Sequence, residues 1–272
     1  MPDIPSSPRL SNRLLWIYSV PTMGIGFMFF FLVLYLMKYA TDVLLMAPAA
    51  VSVIFGVSRV LDAITDPLAG YFSDRTQSRH GRRRPWLLAA ALPLGLAFLM
   101  IWAAPLALKG AGLVAWMAVA VVTFYAVMTL VNVPHQSWGA ELSEDYHERT
   151  RIFGRRHLMT NVGTVTAVLC LFFITRSDEP RDLVLLLTAI FSVFTVVTIV
   201  AAALTLRERT EFQGRGPQAV LGVYRDLGRN PHARLIMVVY FIESLGGATI
   251  GVLTPYMAQY VILEISFPLV VL

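Results

Sequence analysis

Seven stretches of the chain are apolar and long enough to cross a bilayer: residues 14–37, 44–72, 85–105, 112–136, 157–175, 183–206 and 235–260. A spanning helix needs about 20 mostly apolar residues. A lipid-buried backbone has no water to bond with, so such runs take the helical form, which satisfies their N–H and C=O groups internally. The pattern therefore predicts an all-α polytopic membrane helix bundle. The first run is too long for the apolar core of a signal peptide, and no small-residue cleavage site follows it closely, so it is read as a helix.

The polar segments between the runs alternate in character. Four of them hold 17 basic residues, among them Arg9 and Arg13, Arg75 to Arg84, Arg149 to Arg156, and Arg207 to Arg234; the alternate segments hold only Lys38, Lys109, Arg176 and Arg181. This asymmetry predicts a cytoplasmic N-terminus in a cytoplasmic (inner) membrane. It also explains the net charge of +5 as topology, so no nucleic-acid partner is expected. The segment from Arg207 to Arg234 carries Gly214, Gly216 and Pro217 and reads as a linker. The chain thus divides into a six-helix bundle (1–206), a basic cytoplasmic linker (207–234) and the first helix of an incomplete second bundle (235–272), the layout of a transporter built from two repeats.

Composition narrows the class further. Of 272 residues 57% are apolar and 14% charged, against about 45–50% and about 25% in soluble domains, which leaves no room for a separate soluble domain. The single cysteine, Cys170, lies in an apolar run and is read as packing. Neither a nucleophile elbow, a zinc-protease helix, a phosphate loop nor a Cys/His metal spacing occurs in the sequence, so no enzyme activity and no cofactor are expected.

Charges inside apolar runs carry the candidate chemistry, because each costs about 2.5–3.5 kcal/mol at a helix centre on insertion scales. The second run holds Arg59, Asp62 and Asp66, which lie within about 60° on one helical stripe. Two carboxylates one turn apart favour a shared proton or a bound hard cation; a structural Arg59–Asp62 ion pair is the competing reading. The fourth run ends in Thr129, Asn132, Pro134, His135 and Gln136, and the fifth carries His157, Asn161 and Thr164 on one face. Both sets could line a solute path or simply bond between helices or at the interface. Glu243, beside Gly246 and Gly247, is the last intramembrane acid. Trp16, Trp86, Trp102 and Tyr260 are read as interface anchors, and Gly24, Gly26, Gly163 and Gly251 as close helix contacts.

The stretch Arg59 to Pro85, RVLDAITDPLAGYFSDRTQSRHGRRRP, resembles the second helix and following loop of the glycoside-pentoside-hexuronide cation symporters, a branch of the major facilitator superfamily. Val133 to Arg151, Tyr35 to Asp42 and Glu243 to Tyr260 are similar to the same family. The resemblance implies two six-helix bundles rocking about a central site, of which this chain would supply the N-terminal six-helix bundle plus helix seven. It implies symport of a sugar or glycoside with sodium or a proton. Asp62 and Asp66 match the family's paired cation-site acids, with Thr65 and Thr129 beside them. Gly70, Asp74, Arg75, Arg82 and Arg83 match its cytoplasmic gating segment, with Arg59 and Glu243 placed among the gating charges, and Asn132, Gln136, His157 and Asn161 fall in the substrate cavity. Gly26, Asn132 and His157 stand where melibiose-type members carry sugar-binding acids and an arginine, which argues against a melibiose-like galactoside. Lysophospholipid transporters share the paired acids and give the alternative substrate class. The remaining helices of a symporter are expected on a longer reading frame or from a second chain; a non-transporting fragment or assembly partner is the rival.

Overall fold

A computed structural model describes residues 10–79, 81–177, 179–206, 208, 229–239, 241–243 and 246. Among the described residues every regular element is a helix, and six helical spans are long and apolar enough to cross a membrane. The first span is Asn12–Val43, built from α1 (Asn12–Ser19), α2 (Pro21–Lys38) and a π-helical end (Tyr39–Val43). It breaks at Pro21 because proline lacks the N–H that would continue the helical ladder. The freed end is stitched locally: the Thr22 hydroxyl lies within bonding reach of the carbonyls of Ser19 (2.7 Å) and Arg156 (3.0 Å). The other spans are α3 (Pro48–Arg75), α4 (Arg84–Trp102), α5 (Ala111–Glu141), α6 (Tyr146–Ile174) and α7 (Pro180–Thr205).

Several boundaries differ from those expected. Helix α6 starts at Tyr146, well before the apolar run, because the Asp145 carboxylate caps it by accepting from the Glu148 N–H at 2.8 Å and a polar stretch extends the helix on the N-terminal side of that run. Helix α5 likewise runs through Pro134 to Glu141. The linker from 209 to 228 and the segment from 247 onward lie outside the described residues, and so do Gly251, Tyr260 and most of the expected seventh helix.

Helix α2 is wedged between α6 and α7, α4 packs on α5 and α7, and α3 rests chiefly on α5. Close approach of α2 and α6 depends on small residues. A Cβ at Gly26 would lie 2.6 Å from the Thr160 carbonyl oxygen, and one at Gly163 would strike the Met23 carbonyl and lie 2.8 Å from the Phe27 nitrogen. The core is aromatic. Trp102 is fully buried, ringed by Phe31, Tyr35, Tyr39 and Phe98, and so is a packing centre rather than the interface anchor its position near a span end suggests. Cys170 is a buried free thiol.

Helices α3, α6 and α7 turn rows of Val, Leu, Ile and Phe outward, as lipid-facing surfaces do. The chain is an integral membrane protein.

Candidate functional site

The acids of α3 sit at the rim of its contact with α5. Val51, Ile54, Ser58, Ala69 and Ser73 form the buried face, and the stripe of Arg59, Asp62 and Asp66 borders it, by the 100° step of the helix. Asp62 pairs with Arg59 at 3.3 Å. Arg59 also donates to the Tyr125 hydroxyl at 2.9 Å, and its guanidinium lies 4.6 Å from the Tyr125 ring centroid and 5.6 Å from that of Phe29. It is thereby held at one end of the stripe.

Asp66, one turn further on, accepts from the Thr129 hydroxyl of α5 at 2.7 Å. The Thr65 hydroxyl between the two acids is buried without a partner. Pro67 directly follows Asp66 inside the helix, so the turn at the acid lacks one ladder bond. At the edge of the α3–α5 contact Asp66 thus meets the Thr129 hydroxyl, Asp62 lies one turn earlier on the same stripe, and the unpartnered Thr65 hydroxyl is buried on the adjoining face; carboxylate and hydroxyl oxygens of this kind suit a hard monovalent cation or a proton.

The expected cavity residues differ in burial. Asn132 of α5 accepts from Arg156 Nη2 of α6 at 2.9 Å. Arg156 was counted by sequence among the loop charges, and it is this residue, rather than its neighbour His157, that reaches Asn132. His157, Asn161 and Gln136 are exposed. His135 is fully buried, its ring stacked on Tyr18 at 4.5 Å, and the two residues exchange side chain to backbone bonds at 3.0 and 3.1 Å. It is thus a packing residue joining α1 to α5.

At the arginine-rich end a second network forms. Arg83 donates to Asp74 at 3.0 Å and to Glu141 at 2.6 Å, and Arg82 pairs with Glu141 as well. Burial pulls the Arg83 guanidinium below its ordinary value, while Glu141 works against that shift and Arg82 adds to it. The backbone N–H groups of Arg82, Arg83 and Arg84 all donate to the Glu208 carboxylate, at 2.7, 2.9 and 2.7 Å. Gly81 makes room for it: its φ is +104°, and a Cβ there would lie 2.6–2.8 Å from the carboxylate. Arg84 Nε reaches the Ala203 carbonyl at the end of α7 at 2.5 Å. Asp74, Arg82 and Arg83 are thus brought together, with Glu141 and Glu208 as members that sequence reading missed. Arg75 lies over the Tyr71 ring (4.7 Å to its centroid), a Cβ at Gly70 would lie 3.7 Å from a Val133 methyl, and Glu243 is exposed.

The family described as MFS/sugar transport protein matches residues 17–266. A symporter of Synechocystis sp., itself uncharacterized, is 31% identical over 186 residues, covering 65% of this chain and 34% of that protein. The isoprimeverose transporter of Lactiplantibacillus pentosus is 26% identical over 263 residues, 94% of this chain and 53% of its own length. The sodium-dependent lysophosphatidylcholine symporter 1-A of Danio rerio is 32% identical over 149 residues, 54% of this chain and 26% of its own length. The chain spans about half or less of these relatives, as those shares show.

Proposed function

Because the chain belongs to the MFS/sugar transport protein family, we propose that it supplies the cation-binding bundle of a secondary active symporter that moves a sugar or glycoside with sodium or a proton. The observation that carries this reading is the oxygen cluster where α3 meets α5. Asp66 is bonded to Thr129 at 2.7 Å, Asp62 lies one turn away, and the Thr65 hydroxyl is buried and unpartnered. Arg59 pairs with Asp62 at 3.3 Å, and an entering cation would take its place against the acids. Asn132, Gln136, His157 and Asn161, with Arg156, would face the solute. The Asp74, Arg82, Arg83 and Glu141 network would hold one end of the bundle closed between transport steps.

Residues 207–230 would link this bundle to a second one, whose first helix would include the helical residues 231–239. The excess of arginines at one end of the bundle supports a cytoplasmic N-terminus in the inner membrane.

The test needs only the first bundle. Sodium and proton binding to the purified chain in detergent is followed by calorimetry and by tryptophan fluorescence. The parent chain is expected to bind one of the two, and Asp62→Asn and Asp66→Asn each to abolish that binding. Undiminished binding in both variants sinks the cation-site assignment.

A second substrate reading has its own support. The Danio rerio relative, a sodium-dependent lysophosphatidylcholine symporter, shares 32% identity over 149 residues of this chain. Competition for one uptake signal between a glycoside panel and lysophosphatidylcholine separates the two. If only the amphiphile competes, the glycoside reading fails.

A further inference from the structure

A cluster away from the acids gathers positive charge on a neutral anchor. The Asn12 side-chain oxygen, at the start of α1, accepts from Arg155 Nη2 at 2.7 Å and also from Arg151 Nη2, both on α6. Arg155 Nη1 reaches the Asn12 carbonyl at 3.4 Å, and its guanidinium lies 5.1 Å from the ring centroid of Trp16. Arg151 donates to Glu148 at 3.0 and 3.3 Å and to the Leu10 carbonyl at 3.4 Å. Among the described residues Glu148 is the carboxylate bonded within the cluster, and it faces Arg151. Among the described residues Arg155 donates to two neutral acceptors, both on Asn12. Arg13, exposed, adjoins Asn12 in sequence.

Two guanidinium groups converging on one amide oxygen repel each other, and the arrangement asks for an anion from outside the chain. Its level in the bundle says which anion. Asn12 opens the first apolar span, and Arg155 stands two residues before the apolar run that begins at 157. Both residues thus stand at the polar edge of an apolar run, the level at which lipid headgroups meet a spanning helix. Trp16 is 40% exposed beside the pair, and an indole with a basic neighbour is the usual occupant of that layer. Basic recesses between helices at this level recognise the phosphate of anionic lipids.

We propose that the arginine cluster where α1 meets α6 binds the headgroup phosphate of an anionic phospholipid, held by Arg155 and Arg151 beside Trp16. This site is separate from the α3–α5 acids and does not depend on the transport reading.

The experiment titrates the purified full chain, in a neutral detergent, with phosphatidylglycerol, phosphatidylcholine or inorganic phosphate, reading bound lipid by native mass spectrometry and the melting temperature in parallel. Phosphatidylglycerol is expected to be retained and to raise the melting temperature, and phosphatidylcholine to do neither. Arg155→Gln keeps a donor for Asn12 but removes the charge, and should weaken phosphatidylglycerol binding about fivefold. Trp16→Ala should weaken it too, and serves as the independent test if Arg155→Gln melts below the parent in phosphatidylcholine. Arg79→Gln, an equal charge change on the exposed α3–α4 loop, should leave the affinity alone. The proposal is overturned if Arg79→Gln weakens binding as much as Arg155→Gln, if both site variants keep the parent affinity, or if inorganic phosphate protects as well as the lipid.

Discussion

Removing the Glu141 carboxylate should loosen the arginine-rich end of the bundle. The side chains of Arg82 and Arg83 are only 5% and 3% exposed, and both meet Glu141, itself 19% exposed. Breaking one partner out of a buried ion pair costs about 3–5 kcal/mol, because the remaining charge is stranded away from water. Asp74 stays within 3.0 Å of Arg83 and 3.8 Å of Arg82, so the lower end, about 3 kcal/mol, applies to Glu141→Ala. For a chain of this size that corresponds to a melting temperature lowered by about 6–12 °C. Cys170, the single cysteine, is buried, so a dye that fluoresces on reacting with thiols reports unfolding on a temperature ramp. Glu144→Ala, an exposed acid three residues on, should melt within about 2 °C of the parent, as surface substitutions do. Arg83→Met in the Glu141→Ala background should recover part of the loss, since an apolar replacement removes the stranded charge. A Glu141→Ala chain that melts with the Glu144→Ala control would refute the assignment of Glu141 as the counter-ion of this buried pair.

Three further outcomes follow from the packing and the site. Gly163→Ala should cost about 1–3 kcal/mol, because its Cβ would meet the Met23 carbonyl and the Phe27 nitrogen and force α2 off α6; the same thiol-dye ramp reads it, and an unchanged melt would mean the helices are not in contact there. Trp102→Ala should cost about 3–5 kcal/mol by opening a void among Phe31, Tyr35, Tyr39 and Phe98, which a melt equal to the parent would contradict. Thr129→Val keeps the volume but loses the donor to Asp66. A hydrogen bond to a charged group is worth about 1.5–3 kcal/mol, so cation affinity should fall at least about tenfold, and an unchanged affinity measured by calorimetry would remove Thr129 from the site.

The spans were legible because a bilayer imposes one length and one polarity on every crossing helix, and the sequence obeys both from residue 14 to 206. The acid stripe was legible too, since Arg59, Asp62 and Asp66 belong to a single helix and their angular relation follows from its geometry. What the pattern hid lies between helices. Arg156 reaches Asn132 across 24 residues, and Arg83 reaches Glu141 across 58; neither spacing carries a periodic signal. Glu141 and Arg156 sit just past the apolar runs, where a charged residue looks like any loop residue until the helix is seen to continue beneath it. Trp102 deceived for a related reason. A tryptophan near a span end reads as an anchor, and only the neighbouring rings reveal it as core. The family's motifs pointed to Asp74, Arg82 and Arg83, but the carboxylate of Glu208 that completes their loop comes after α7, where no pattern marks it.

That last contact also orders events at the ribosome. The three N–H groups of Arg82, Arg83 and Arg84 wait for a residue made 124 to 126 positions later. At about 5–20 residues per second, about 6–25 seconds of synthesis separate the loop from its cap. During that interval four helices, α4 to α7, are made and must enter the membrane before the start of α4 meets its cap. Glu208 is therefore a last stitch: it can close only after the sixth crossing is in place, and its closure marks the bundle as finished.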